Sequence, residues 1–199
     1  MIINLGNIVF GGKGNGGSST ASAYVVPDGM SFGYSTLIPF DLDFTQKTKF
    51  RYCWYYCSSL TEFPLLNTSR GTDFWFAWNG CSGLTSFPQL DLSSGTNFGY
   101  AWGSCSKLAS FPALNLSNGT SFYNAWYNCP ALTNLGGFGA IKQSFSLSAS
   151  TKLTVESLMN VINQAATVTG KTMTLGSTNL AKLTDEQKAV ATNKGWTLA

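Results

Sequence analysis

The sequence predicts an α/β solenoid: 24-residue coils, each adding one strand to a parallel stack, closed by a C-terminal helix–strand–helix–strand region. Three observations carry that expectation. Cysteines recur at Cys57, Cys81, Cys105 and Cys129, at intervals of 24 residues. Around them other residues fall into columns, among them Phe50, Phe74, Phe98 and Phe122; Trp54, Trp78, Trp102 and Trp126; and Leu60, Leu84, Leu108 and Leu132. Each unit also has one half spaced like a helix face and one spaced like a strand. Matched columns at a fixed period mark an architecture whose units cannot bury their apolar faces singly.

In the first half of the unit, Phe74, Ala77, Trp78 and Cys81 form an i, i+3, i+4, i+7 set, which predicts a short helix. Thr72, Thr96 and Thr120 stand where N-caps would be, each after a glycine (Gly71, Gly95, Gly119) that ends the previous unit with a positive φ. In the second half, "LTSFPQLDLS" alternates Leu90 and Leu92 inward with Gln89 and Asp91 outward, as a strand does.

The ends need caps, because an open stack exposes apolar surface and strand edges. Upstream, "LIPFDLDF" reads as a degenerate first strand whose helical half is missing, and Pro27-Asp28-Gly29 reads as a turn. Downstream, Leu153, Leu158, Ile162 and Ala165 or Ala166 fit a helix capped by Thr154, and Thr184 with Gln187 forms a capping box for a second helix ended by Gly195. "TMTL" and "WTL" follow these helices and are expected to continue the same sheet. The chain is thus divided into an attachment arm with a Gly-rich linker (1–29), the repeats (30–140) and a capping region (141–199). A strand-like start on a flexible leash suits the addition of a strand to a partner or sister chain.

Composition narrows the chemistry. Charged residues make up 11% of the 199-residue chain and aromatics 14%, which suits a folded, adhesive body rather than a disordered one. The net charge of +3 arises mostly outside the repeats, where only Asp73, Asp91 and Lys107 are ionisable acids or bases between Gly71 and Ile141, so nothing there tracks a nucleic-acid backbone. No stretch is long and apolar enough for a membrane span, and the opening "MIINLGNIVF" lacks a signal-peptide pattern. The chain contains no histidine, which removes the usual general base and the commonest metal ligand. The carboxylates are scattered, and "GGKGNGG" lacks the order of a phosphate-binding loop. The expectation is a non-enzymatic protein with no catalytic residues, metal or cofactor. The cysteine column is read as buried free thiols in preference to disulfides or a zinc site, since zinc ligands usually pair two to four residues apart.

The unit resembles the BspA-like class of leucine-rich repeats, in which a C-S-x-L-T-x-F/L stretch such as "CSGLTSFPQLDLSSGT" leads into the strand; Phe-Pro in place of a plain leucine departs from the commonest form. The resemblance spans about residues 36–140. It implies leucine-rich-repeat-like coils and a bacteriophage virion structural protein, a tail-fibre or baseplate appendage assembled in the host cytoplasm. It also implies joining to other virion proteins through the N-terminal arm, a homo-oligomeric or larger assembly, and adhesion to a host-surface glycan or protein as receptor. A capsid decoration or head-fibre protein and a bacterial cell-surface adhesin are the alternatives.

With the core columns set aside, the turn-face positions hold Arg51, Tyr52, Tyr55, Tyr56, Trp75, Phe76, Tyr100, Tyr123 and Tyr127. Tyr52, Tyr55, Trp75, Phe76, Tyr100, Tyr123 and Tyr127 are the candidate ligand-binding residues, stacking on sugars or packing on a protein; the other reading has them tucked beneath neighbouring coils or in a subunit interface. A second candidate surface is the polar outer face of the strands, with Asn67, Asp91 and Asn115 among its residues. Gly99, Tyr100, Gly103, Lys107 and Ala113 are expected to be free to differ between units.

Overall fold

A computed structural model describes residues 23–36 and 42–199, so most of the attachment arm lies outside the described residues. The elements in chain order are β1 (Tyr24–Val25), β2 (Leu42–Asp43), β3 (Ser110–Phe111), β4 (Asn134–Leu135), β5 (Phe145–Ser146), α1 (Val155–Gln164), β6 (Lys171–Thr174), α2 (Ser177–Leu180), α3 (Asp185–Asn193) and β7 (Trp196–Leu198). The strands form three small parallel sheets, β1-β2, β3-β4 and β5-β6-β7. The expected leucine-rich-repeat-like solenoid with a parallel strand stack is therefore corrected. Among the described residues no sheet runs through the repeats, and every helix lies beyond Thr154.

The first half of each unit is a string of turns instead of a helix. Tyr52, Phe76, Tyr100 and Asn124 have φ of 53°, 56°, 54° and 51°, in the left-handed region, whereas an α-helix needs about −63° throughout. The N–H groups of Phe74, Phe76, Trp78 and Gly80 donate forward to the carbonyls of Asn97, Gly99, Ala101 and Gly103 in the next unit. Those of Ala77, Asn79 and Cys81 donate back within the unit to Phe74, Phe76 and Trp78. Apolar side chains at i, i+3, i+4 and i+7 are buried by this alternation as they would be on a helix face. The threonines cap nothing. Thr96 donates its N–H and its hydroxyl to the Thr72 carbonyl at 2.8 and 2.9 Å, and Thr120 does the same to Thr96.

The second half alternates as expected, with Leu90 and Leu92 buried and Asp91 exposed. A continuous ladder does not form, because Pro88 and Pro112 have no N–H to donate and the Leu90 N–H turns back to the Pro88 carbonyl. What remains is the β3-β4 pair, in register Ser110 to Asn134, and isolated bridges such as Ser86 to Ser110.

The core is a set of aromatic ladders. Trp54, Trp78, Trp102 and Trp126 are fully buried and stack at 5.4, 5.6 and 5.3 Å between ring centroids. Phe50, Phe74, Phe98 and Phe122 form a parallel ladder at 5.1 to 5.5 Å. All five cysteines are free and buried. The Cys81, Cys105 and Cys129 thiols each donate to the carbonyl of the tryptophan in the preceding unit, at 3.2, 3.2 and 3.1 Å. Burial pushes the Cys53 and Cys129 thiols up to about 12, and Cys105 is raised for the same reason. The thiolate is the reactive form. Under reducing-agent-free native conditions at pH 8, a thiol-selective chromogenic reagent is expected to label Cys53, Cys105 and Cys129 only at the rate of unfolding, and all five cysteines promptly in denaturant. Rapid native labelling of the 105 or 129 position would contradict the buried ladder.

The N-terminal turn is clasped to the repeats. The Met30 N–H donates to the Pro27 carbonyl, closing the expected turn. Asp28 accepts from the N–H groups of Thr48 and Lys49 and from the Thr48 hydroxyl. The buried Lys47 ammonium donates to the carbonyls of Pro27 and Met30 at 2.7 and 3.2 Å. Residues 30–35 then supply the turn half that the sequence reading took to be missing: the Phe32 and Tyr34 N–H groups donate to the carbonyls of Cys53 and Tyr55, as Trp54 and Tyr56 donate to Ala77 and Asn79.

At the other end, α1 starts on the Thr154 cap and α3 on the Thr184–Gln187 capping box. The α1 side chains close the edge of the last repeat. Ser157 bonds to the Leu135 N–H and the Thr133 carbonyl, Asn160 to the Leu135 carbonyl, and Gln164 to the Gly136 carbonyl and Gly139 N–H. Because these side chains occupy the groups a further strand would use, β6 and β7 do not extend the repeat; they form their own sheet on β5.

Candidate functional site

The turn halves hold two columns of left-handed residues, all of them exposed or half-buried except Gly80, which is buried. One is Tyr52, Phe76, Tyr100 and Asn124; the other is Tyr56, Gly80, Ser104 and Asn128, with Tyr34 joining it at φ 64°. Asparagine and glycine are the residues that adopt this backbone readily, and a bulky side chain there is an outlier costing on the order of 1–3 kcal/mol. The chain nonetheless carries aromatic rings at Tyr34, Tyr52, Tyr56, Phe76 and Tyr100.

Those rings form a continuous outer stripe. Phe76 is stacked on both faces, by Tyr52 at 5.2 Å and by Tyr100 at 4.5 Å, and Tyr123 meets Tyr100 edge-on at 5.3 Å. Trp75 touches Phe76 and Tyr100. Tyr55 stands nearly perpendicular to both Tyr52 and Tyr34, at 5.4 and 5.9 Å, and Tyr34 stacks on Tyr56. The structure thus brings together all the predicted site residues except Tyr127, which is exposed on its own with no ring partner among the described residues.

One expectation about this face is corrected. Gly99 and Gly103 are not free positions. A Cβ on Gly99 would fall 2.4 Å from the Trp75 ring, one on Gly80 would fall 2.7 Å from Tyr56, and one on Gly103 would fall 2.5 Å from the Asn79 amide. In each case a large side chain lies over the glycine 24 residues further on. In the outer polar row, Asn67, Asp91 and Asn115 each accept from the N–H two residues on, at 3.2, 3.0 and 3.1 Å, closing the turn between units.

At its N-terminal end the stripe opens into a cleft of about 350 Å³ lined by Ser31, Gly33, Tyr34, Arg51, Tyr52 and Tyr55, with Gly29 at its margin. This is at the small end of the range for ligand pockets. The Arg51 guanidinium is held by Asp73 (Nη1 to Oδ2, 3.3 Å) and lies 5.9 Å from the Trp75 ring centroid, while half of its side chain stays exposed. Burial, followed by the neighbouring phenols of Tyr56, Tyr34 and Tyr52, raises the Tyr55 hydroxyl above its ordinary value. The sequence reading missed Tyr34 because it precedes Tyr56 by 22 residues rather than 24. A search allowing a two-residue deletion aligns Phe32 with Trp54 and Tyr34 with Tyr56.

Among the described residues no three His, Cys, Asp or Glu side chains come together to hold a metal ion, and no helix is long and apolar enough to cross a membrane. Compared with protein-family models, curated proteins and solved structures, the chain matches none.

Proposed function

We propose that this chain is a non-enzymatic binding protein of a bacteriophage virion, a tail-fibre or baseplate appendage that meets the host surface through its aromatic stripe. The virion setting rests on the resemblance of the 24-residue unit. The binding role rests on one observation: Tyr34, Tyr52, Tyr56, Phe76 and Tyr100 occupy left-handed backbone that Gly80, Asn124 and Asn128 occupy at lower cost elsewhere in the same columns. Folding alone favours asparagine there, and surface aromatics with a polar edge favour contact with sugar or protein.

Asparagine substitutions at Tyr52 and Tyr100 separate the two demands. Relief of backbone strain offsets lost ring stacking of about 0.5–1.5 kcal/mol per pair, so the Tyr52→Asn/Tyr100→Asn protein is expected to stay within about 1 kcal/mol of the parent stability. Particles carrying it are expected to adsorb to host cells at least tenfold more slowly. Unchanged adsorption together with a large stability loss would make the stripe a folding element. An antibody to this chain is expected to label the tail tip of intact particles; label on the capsid, or on no particle, would overturn the proposed setting.

A further inference from the structure

The cleft at the N-terminal end of the stripe differs from the rest of it. Along the stripe most ring faces are taken: Phe76 is covered on both sides, and Tyr56 lies between Gly80 and Tyr34. At the cleft, Tyr34 and Tyr52 each have one face covered, by Tyr56 and by Phe76, but both meet Tyr55 at near right angles, so the three rings that line the cleft do not stack on one another. Three tyrosines and Ser31 line this space, and the Ser31 hydroxyl is already taken, donating to the Tyr52 carbonyl and accepting from the Gly33 N–H. Arg51 lines the cleft as well; its guanidinium uses one nitrogen on Asp73 of the next unit and has no other hydrogen-bond acceptor among the described residues. Asp73 takes one nitrogen and the Trp75 ring centroid lies 5.9 Å away, so the half-exposed guanidinium keeps its remaining N–H donors for an incoming acceptor.

Resting on the binding role above, we infer that this cleft is a subsite for a single pyranose unit bearing a carboxylate, a uronic-acid type of sugar at the end or edge of a surface polysaccharide. The tyrosine faces take the apolar side of the sugar ring, the phenol hydroxyls take its hydroxyl groups, and Arg51 takes the carboxylate. The volume of about 350 Å³ suits one ring and excludes a helix or strand of a protein partner.

The test uses the full chain, titrated by nuclear magnetic resonance with methyl β-glucuronide and with methyl β-glucoside, which differ at the carboxylate. The expected result is saturable binding of the glucuronide, at least tenfold weaker binding of the glucoside, and loss of that preference in Arg51→Gln, with Arg51→Lys recovering only part of it. Shifts should centre on Tyr34, Tyr52 and Tyr55. Equal binding of the two sugars, or an Arg51→Gln protein that keeps the preference, overturns the acidic-sugar assignment and leaves the binding role standing. Binding of neither sugar also overturns it; host adsorption that is still sensitive to the Tyr52→Asn/Tyr100→Asn pair then points to a protein receptor. Should Arg51→Gln unfold, Arg51→Met, which keeps the packing of the stem and removes the charge, takes its place, and a glucuronide preference retained there overturns the proposal.

Discussion

Trp102→Ala is expected to destabilise the protein by about 3–5 kcal/mol, the range for removing a large buried aromatic side chain. Trp102 is fully buried, stacked between Trp78 and Trp126 at 5.6 and 5.3 Å, and met edge-on by Phe87 and Phe111 at 5.5 and 5.0 Å. Truncation therefore removes contacts to three units at once, and the neighbours, each held in its own ladder, have little room to collapse into the gap. Trp102→Phe is expected to cost less than half as much. The Nε1 groups of Trp54, Trp78, Trp102 and Trp126 are all buried without a hydrogen-bond partner, and each such donor carries a desolvation cost of about 1–3 kcal/mol that phenylalanine does not have. Denaturant unfolding with linear extrapolation measures both variants. An alanine variant within about 1 kcal/mol of the parent, or a phenylalanine variant as damaged as the alanine one, would refute the ladder account.

The core columns were legible because self-stacking demands one residue type at one period, and Phe74, Trp78, Cys81, Leu84 and Phe87 are buried where the columns place them. The backbone between them was not legible. A spacing of i, i+3, i+4, i+7 selects a face, and a turn string with left-handed residues at Phe76 and Gly80 buries the same face as a helix does. The signal against a helix was Asn124 and Asn128 four apart with Gly80 in one of those slots, and the signal against a continuous parallel ladder was the prolines at 88 and 112. At the candidate site, Tyr52, Phe76 and Tyr100 were legible as one column, whereas the cleft depends on Tyr34, whose column is shifted by two residues, and on Arg51, whose orientation is set by Asp73 and Trp75 from the next unit. Such information is relational, carried by pairs 24 residues apart that are not alike.

The glycines ahead of each threonine give the second large effect, and they show the same point. Gly71, Gly95 and Gly119 were expected to supply positive φ, yet none of them is in the left-handed region. A Cβ on Gly95 would instead lie 2.2 Å from Cζ of Phe98 and 3.0 Å from the Leu92 carbonyl oxygen; on Gly119 it would lie 2.2 Å from Phe122. The glycine is required by the ring that covers it. Gly95→Ala is accordingly expected to cost about 1–3 kcal/mol through overpacking, although its backbone suits alanine. Gly170→Ala provides the contrast: its φ is +66° with nothing within 4 Å of the new Cβ, so only the left-handed strain of about 1–2 kcal/mol applies. The two mechanisms separate in a double-mutant cycle. Shortening the ring by Phe98→Leu should recover at least about 1 kcal/mol of the Gly95→Ala loss and none of the Gly170→Ala loss. Simple additivity of Gly95→Ala with Phe98→Leu would mean that the ring does not dictate the glycine.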